Sequence, residues 1–502
     1  MTGPAGNEPG RGLRLEVPIT FSPEPLDDID ASVTVVAEPV RKVRTTHWDT
    51  ADLRLARWGV ALEHSGEAGW TLRLPPTSEG MAAPDGAELH FEGGSERVPE
   101  PALRLVRVYA RRAHLEPVAR LVTVTAAAML LDAEGAVLAR LVDNTVSVYS
   151  GSRITQRFRE IDLASDSGQL LDELANRYQA AGAQPARPRA LVARALGLVG
   201  TPPAEIGSVT LGGAATAGEV VRRALSTSVI RLMRHDPGVR LGVDAEDVHQ
   251  ARVATRRLRS DLRTFRPLLD ETWVESLRDD LRWIGGELGR VRDAEVLRDR
   301  LRAAATALPQ GDRHSALAVV APLVGQVRSA RRHLVTEMET ERYVEVIDHL
   351  VAAARAPTLT GMAASPAREA LPGLVRKPWR SLKSGALAAR GGNVPDEQLH
   401  DLRIRAKRCR YAAEAAAAAT GKSAARFARE VAALQEILGE LHDAVVAEAW
   451  LRDRSTAPRI HETALFAAGE LVALQRDAAE QARIGWPAVW TRVEQSWSNA
   501  WR

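Results

Sequence analysis

The sequence predicts a multidomain α+β protein, with an N-terminal antiparallel β domain followed by a C-terminal all-α domain. Three observations carry this reading. Residues 14–163 run in short apolar–polar alternations separated by turn residues. From residue 218 onward apolar side chains recur at i, i+3, i+4 and i+7. The helical part also contains one pattern of basic residues twice. A chain of 502 residues is long enough for about two to four domains with a sizeable core.

Taken in order, residues 1–12 are polar and rich in Gly and Pro, which predicts a disordered tail. They carry neither the basic nor the apolar region of an export signal. The β domain is expected at 13–200. Its expected strands include Leu13–Phe21, Ala68–Leu74, Ala102–Ala110, Val118–Leu131, Gly135–Val142 and Thr145–Tyr149. Asp132-Ala133-Glu134-Gly135 lies between two apolar runs and reads as a hairpin turn. A short helix at Ala190–Leu198 is expected to close the domain. Residues 201–217, with Thr201-Pro202-Pro203 and Gly212-Gly213, read as a linker. The helical domain is expected at 218–502, with breaks near Asp236–Gly242, Leu308–Gly311, Pro357–Pro366 and Gly391–Pro395.

Composition narrows the function. The chain is 45% hydrophobic and 26% charged, as in ordinary soluble proteins. No apolar run reaches the ~18 residues of a membrane span, so no membrane partner is expected. The single cysteine, Cys409, excludes an internal disulfide and a cysteine-based zinc site, and fits a cytoplasmic protein. The net charge of +3 is unevenly spread. Residues 1–210 hold 22 Lys and Arg against 27 Asp and Glu, a balance of −5. Residues 211–502 hold 45 against 37, a balance of +8. Only five of the basic residues are Lys, so the positive charge is nearly all guanidinium. A basic C-terminal half points to an anionic partner.

The repeated pattern is specific. His249-Gln250-Ala251-Arg252-Val253-Ala254-Thr255-Arg256-Arg257-Leu258-Arg259 matches His400-Asp401-Leu402-Arg403-Ile404-Arg405-Ala406-Lys407-Arg408-Cys409-Arg410, at an offset of 151 residues. Leu288-Gly289-Arg290-Val291-Arg292-Asp293-Ala294 then matches Leu438-Gly439-Glu440-Leu441-His442-Asp443-Ala444, at an offset of 150. Two matches in the same order predict two copies of one helix bundle, at about 218–355 and 366–502, related by a pseudo-twofold.

On a helix, Arg252, Arg256, Arg259 and Arg263 fall at ~300°, ~340°, ~280° and ~320° from His249. The second copy repeats the stripe with His400, Arg403, Lys407 and Arg410, and has Glu414 at the next step. Arg257 and Arg408 lie beside the stripes. Like charges at this spacing repel, so the stripe needs neighbouring carboxylates or a polyanion. Guanidinium suits phosphate because its fixed fork makes paired hydrogen bonds. Arg292 and His442 are equivalent by the repeat and are expected on the same surface. Lys377, Arg380 and Lys383 add charge just before the second copy. No His pair has metal-ligand spacing, and Asp293 and Asp443 are expected to orient neighbouring bases rather than bind metal. Aromatic residues are only 4%, and none joins the first stripe before Phe265, so stacking platforms for single-stranded nucleic acid are lacking. A polymer of bare phosphate needs only charge and is the better match.

Both His-x-x-Arg-x-x-x-basic-basic-x-Arg helices and both Leu-Gly-x-x-x-Asp-Ala segments resemble the CHAD family, the conserved histidine α-helical domain. The resemblance covers residues 218–502. It implies two pseudo-symmetric helical bundles with a basic cleft that binds inorganic polyphosphate, and association with polyphosphate granules and granule-associated proteins.

Residues 13–180 resemble a CYTH domain, a triphosphate tunnel fold built as an eight-stranded antiparallel β-barrel. The carrying segments are His47-Trp48-Asp49-Thr50-Ala51-Asp52-Leu53-Arg54-Leu55, Gly69-Trp70-Thr71-Leu72-Arg73-Leu74-Pro75 and Asp143-Asn144-Thr145-Val146. The family's Glu-x-Glu-x-Lys is here Glu16-Val17-Pro18-Ile19-Thr20, so one carboxylate and the lysine are replaced. Its Leu-Arg-x-Arg is Leu62-Glu63-His64-Ser65, its Thr-x-Arg is Thr123-Val124-Thr125, and its late carboxylate pair is Glu160-Ile161-Asp162. Arg54 and Arg73 are left as candidate tunnel cations. Too few carboxylates and cations remain for divalent-metal phosphoryl chemistry. The expectation is therefore a polyphosphate-binding protein with no catalytic residue, metal or cofactor. The rivals are a metal-dependent triphosphatase or polyphosphatase in the N-terminal tunnel, and a nucleic-acid-binding module.

Overall fold

A computed structural model describes residues 11–22, 33–66, 68–77, 86–186, 191–198, 202–391, 394–456 and 462–500. Most of the expected tail, Ala190 and Thr201 lie outside the described residues. The chain divides into two compact units, residues 1–205 and 206–502.

Among the described residues the first unit is one antiparallel sheet with four helices. In chain order its elements are β1 (Arg11–Val17), β2 (Thr34–Ala37), β3 (Arg41–Asp49), α1 (Arg54–Arg57), β4 (Ala61–Ser65), β5 (Gly69–Arg73), β6 (Glu88–Phe91), α2 (Glu100–Ala110), β7 (Glu116–Leu131), β8 (Val137–Ser150), β9 (Arg153–Ser165), α3 (Gly168–Ala180), β10 (Gln184–Pro185) and α4 (Leu191–Ala195). The sheet order is β10-β1-β9-β8-β7-β3-β4-β5-β6, with β2 on β7. The edge strands β6 and β10 have only four and two residues and do not pair with each other among the described residues. The sheet is therefore open and has ten strands, where a closed eight-stranded barrel was expected. One core, with Leu15, Leu130, Ile161 and Leu163, packs under α3; another, with Leu121, Val148 and Phe158, packs under α4.

Three expected strands need correction. Ala102–Ala110 is helix: Pro101 sits in the first turn, where its missing N–H costs nothing, and Ala102, Leu105, Val106 and Tyr109 are buried at helical spacing. Gly135–Val142 and Thr145–Tyr149 form the single strand β8, which runs without interruption through Asp143-Asn144. The hairpin at 132–135 forms as expected. The Asp132 carboxylate accepts from the N–H groups of Glu134 and Ala136, and Gly135 takes the positive φ of 84° that the turn requires.

The second unit is helical. It comprises α5 (Ala217–Leu241), α6 (Ala245–Thr264), α7 (Glu271–Ala307), α8 (Gln310–Val320), α9 (Pro322–Met338), α10 (Glu341–Arg355), α11 (Ala367–Ala388), α12 (Asp396–Thr420), α13 (Lys422–Ser455) and α14 (Glu462–Ala500). Three expected breaks fall between helices. The fourth does not: α5 continues through Pro237 and stops only at Gly242, which takes the left-handed φ of 69°. Proline removes one helix hydrogen bond there, but Asp236 ties the turn by accepting from Arg240 at 2.7 Å and from the Tyr343 hydroxyl. Each copy of the repeat forms the same local unit. In the first copy α5 packs on α6 and α6 on α7; in the second α11 packs on α12 and α12 on α13. The pattern-bearing helices α6 and α12 also pack against each other.

Candidate functional site

The first basic stripe is built on α6. Asp244 caps the helix by accepting from the Glu246 N–H at 2.8 Å, and Glu246 and Asp247 fill the first turn, where carboxylates favour the helix dipole. Val248, Ala251, Ala254, Thr255, Leu258 and Leu262 are buried at the 3–4 spacing of one face. That burial fixes the rotation of the helix and carries Arg252, Arg256, Arg259 and Arg263 along its flank. On α12, Leu399, Leu402, Ala406, Cys409 and Ala413 are buried in the same way.

The second repeated segment explains itself once α7 and α13 are in place. Gly289 faces the Arg252 guanidinium, and a Cβ there would lie 3.1 Å from Nη2. Gly439 faces Arg403 in the same manner, at 3.6 Å from Nε. Each glycine thus makes room for the first arginine of its own stripe. Asp293 attracts Arg252 and Asp443 attracts Arg403. The two repeated motifs are one interlocking device: helix, arginine, and a glycine seat with a carboxylate beside it.

Three adjoining cavities follow the groove between α6 and α12. The central one, about 250 Å³, is lined by Arg256, Arg259, Arg263, Lys407 and Arg408, together with Arg278 and Arg282 of α7, Ser260, Ile404 and Tyr411. Among the described residues no carboxylate lines it. On one side it shares Ser260, Arg263 and Arg408 with a cavity of about 540 Å³ that Lys377 also lines. On the other it shares Arg256 and Tyr411 with a cavity of about 680 Å³ that includes His249, Glu414 and Glu436.

The charges of this groove act on one another. Lys407 has its pKa pushed down to about 7, by burial first and then by Arg256, Arg403, Arg252 and Arg259. Burial and Arg282 and Arg278 lower Arg259; burial and Arg408, Arg278 and Arg259 lower Arg263. Burial and Arg292 lower His249. His442 falls to about 4 through burial, Arg403, His400 and Lys407. It is neutral near pH 7, and its Nδ1 lies 3.0 Å from Nδ1 of His400. Arg256 Nε, Arg403 Nε and the Tyr411 hydroxyl are buried without a hydrogen-bond partner among the described residues. All three are donors, so the groove is short of acceptors.

The remaining sequence-predicted residues divide. Arg410 belongs to the second stripe and Arg257 lies beside the first; Glu414 pairs with both, accepting from Arg410 at 2.6 Å and from Arg257. Asp261 also pairs with Arg257 at 3.2 Å. Arg292 lies 3.7 Å from Glu295 and Lys383 lies 3.7 Å from Glu494, and neither lines any of the three cavities. Arg380 is exposed and lines none of the three cavities. Sequence reasoning missed Arg278, Arg282, Ser260 and Tyr411. The first two stand four residues apart on α7, and that spacing was the available signal; each also pairs with an acid three residues earlier.

In the N-terminal unit the carboxylates are already paired. Glu16 and Glu160 face each other across β1 and β9, and Arg194 of α4 bridges both, at 3.4 Å from Glu16 and in contact with Glu160. Asp162 pairs with Arg14 at 2.5 Å, and Asp143 with Arg159 at 2.6 Å. Arg73 is held by Glu63 and by Glu88 at 2.7 Å, and Arg54 by Asp52 at 3.0 Å, so neither candidate tunnel cation is free. Asp49 is structural: it accepts from the N–H groups of Thr50, Leu55 and Ala56 and holds the start of α1. Among the described residues no group of three or more His, Cys, Asp or Glu is placed to hold a metal ion.

Residues 223–452 match the CHAD domain family. Two proteins of Mycobacterium tuberculosis, uncharacterized protein MT2285 of strain CDC 1551 and uncharacterized protein Rv2226 of strain H37Rv, are each 33% identical over 519 residues. The match covers 95% of this chain and 95% of each relative. Among solved structures, PptA from Streptomyces chartreusis aligns with a TM-score of 0.47 and 24% identity over 55% of this chain and 100% of its own. The CHAD domain from the plant Ricinus communis aligns with a TM-score of 0.44 and 26% identity, over 56% of this chain and 96% of its own.

Proposed function

Because residues 223–452 belong to the CHAD domain family, we propose that the helical unit binds inorganic polyphosphate along the groove between α6 and α12. The observation that carries this reading is the central cavity, whose charged lining is entirely basic and comes from both copies of the repeat. A linear polyanion passing through the three joined cavities supplies many acceptors at once, as the unpaired donors of Arg256 and Tyr411 in their lining require. Nucleic acid fits less well. Tyr411 is the aromatic side chain lining the central cavity, and the guanidiniums of Arg256, Arg257 and Arg410 lie 6.0, 5.3 and 5.6 Å from its ring centre, where a base would have to stack. No helix among the described residues is long and apolar enough to cross a membrane. The proposal extends to collection of the protein at polyphosphate granules.

The N-terminal unit is read as non-catalytic. Arg194 stands between Glu16 and Glu160, where a triphosphatase of this kind would need a divalent ion, and Pro18 and Thr20 replace a carboxylate and a lysine.

The test is competition. Labelled long-chain polyphosphate is bound to the full chain at fixed salt and displaced by unlabelled long-chain polyphosphate, tripolyphosphate or single-stranded DNA at equal charge. Long-chain polyphosphate should compete best. Equal competition by DNA would overturn the phosphate-polymer reading.

A further inference from the structure

We propose that the Tyr411 hydroxyl is a phosphate-binding group, an uncharged donor that hydrogen-bonds a phosphoryl oxygen where the bound chain passes from the central cavity to the larger one. The proposal rests on the polyphosphate reading of the groove.

Tyr411 is 4% exposed, and its hydroxyl has no hydrogen-bond partner among the described residues. A buried phenol almost always finds one, because an unpaired donor forfeits its water without compensation. The acceptor next to it in sequence is not available: Glu414, three residues on, is held by Arg257 and Arg410. Three guanidiniums around the ring fix its position, so the hydroxyl does not swing away to solvent.

Its place in the groove is the second argument. Arg256 and Tyr411 are the residues common to the linings of the 250 Å³ and 680 Å³ cavities, and both carry an unpaired buried donor. A chain crossing from one cavity to the other passes both. The repeat supplies a third observation. The position of Tyr411 in the second copy corresponds to Ser260 in the first, and Ser260 also lines the central cavity. Both stripes therefore carry a hydroxyl one step beyond their last matched arginine, on helices that pack together. The arginines and Lys407 attract any polyanion; a fixed O–H donor contributes direction without charge.

That difference can be measured. In the full chain, Tyr411→Phe should raise the Kd for long-chain polyphosphate roughly tenfold at every salt concentration, because a hydrogen bond to a charged acceptor is lost. The slope of log affinity against log salt should stay unchanged, since no counterion-releasing charge is removed. The melting temperature of the free protein should be unchanged or higher, because the change deletes an unpaired buried donor. Arg256→Gln is the contrast: it should weaken binding and also flatten the salt slope by about one. If the wild type binds and Tyr411→Phe binds within twofold of it, the hydroxyl is only packing and the proposal fails. A fall in the free protein's melting temperature with a changed salt slope would likewise assign Tyr411 a structural role. If the wild type itself does not bind polyphosphate at low salt, the reading of the groove fails first, and this proposal with it.

Discussion

Polyphosphate affinity should fall as pH rises from 7 to 9, and Lys407 sets the size of the fall. Burial of its amine first, and then Arg256, Arg403, Arg252 and Arg259, hold its pKa at about 7 in the free protein. A lysine lowered in this way is charged below that pH and neutral above it. Bound polyphosphate surrounds the amine with negative charge and restores its ordinary pKa, so binding takes up a proton. The linkage factor is then about 2 at pH 7 and about 100 at pH 9, a loss of roughly fifty-fold across the window. In the free protein His249 and His442 both titrate below the usual histidine value. Isothermal titration of the full chain with long-chain polyphosphate, at constant ionic strength and in two buffers of different ionisation heat, gives both affinity and protons taken up. Lys407→Arg should bind at pH 7 and show an almost flat profile to pH 9. Lys407→Gln should be flat and weaker at pH 7. A flat wild-type profile, or the same decline in Lys407→Arg, would refute the reasoning.

Four further outcomes follow from the same geometry. Gly289→Leu should drive the Arg252 guanidinium from its seat, with binding weakened roughly tenfold while circular dichroism stays helical. Glu414→Gln should release Arg257 and Arg410, tightening polyphosphate binding severalfold at low salt while lowering the melting temperature. Arg194→Ala leaves Glu16 and Glu160 facing each other without a cation, and urea denaturation of the full chain should show a loss of about 3 kcal/mol in the N-terminal unit. Phosphate release from tripolyphosphate with Mg²⁺ or Mn²⁺ should stay at background; metal-dependent turnover abolished by Glu16→Ala would reverse the non-catalytic reading.

Much of the groove was legible because its physics is local. The stripe needs only 100° per residue and a buried apolar face, and both are written in 245–264 and 396–420. The repeat announced that two such helices exist. What lay beyond the sequence was pairing across elements. Nothing local says that Glu414 of α12 reaches Arg257 of α6, or that Arg278 and Arg282 of α7 complete the cavity. The misread strand at 102–110 shows a different limit. Leu103, Leu105, Val106 and Val108 satisfy a two-residue period loosely, and only the Pro101 start and the buried 3–4 spacing separate helix from strand. In the N-terminal unit the missing residues were visible, but Arg194, lying far along the chain in α4, was not recognisable as the cation that bridges Glu16 and Glu160.

The central claim is that the α6/α12 groove is a binding site for polyphosphate and not a solvated face. It is tested most directly by long-chain polyphosphate affinity of the full chain against salt concentration. The wild type is compared with a triple variant, Arg256→Gln, Arg259→Gln and Lys407→Gln. The account predicts tight wild-type binding at low salt that falls steeply as salt rises, and a variant with lower affinity and a slope shallower by about two to three. Undetectable wild-type binding at low salt, or a variant that retains both the affinity and the slope of the wild type, would contradict it.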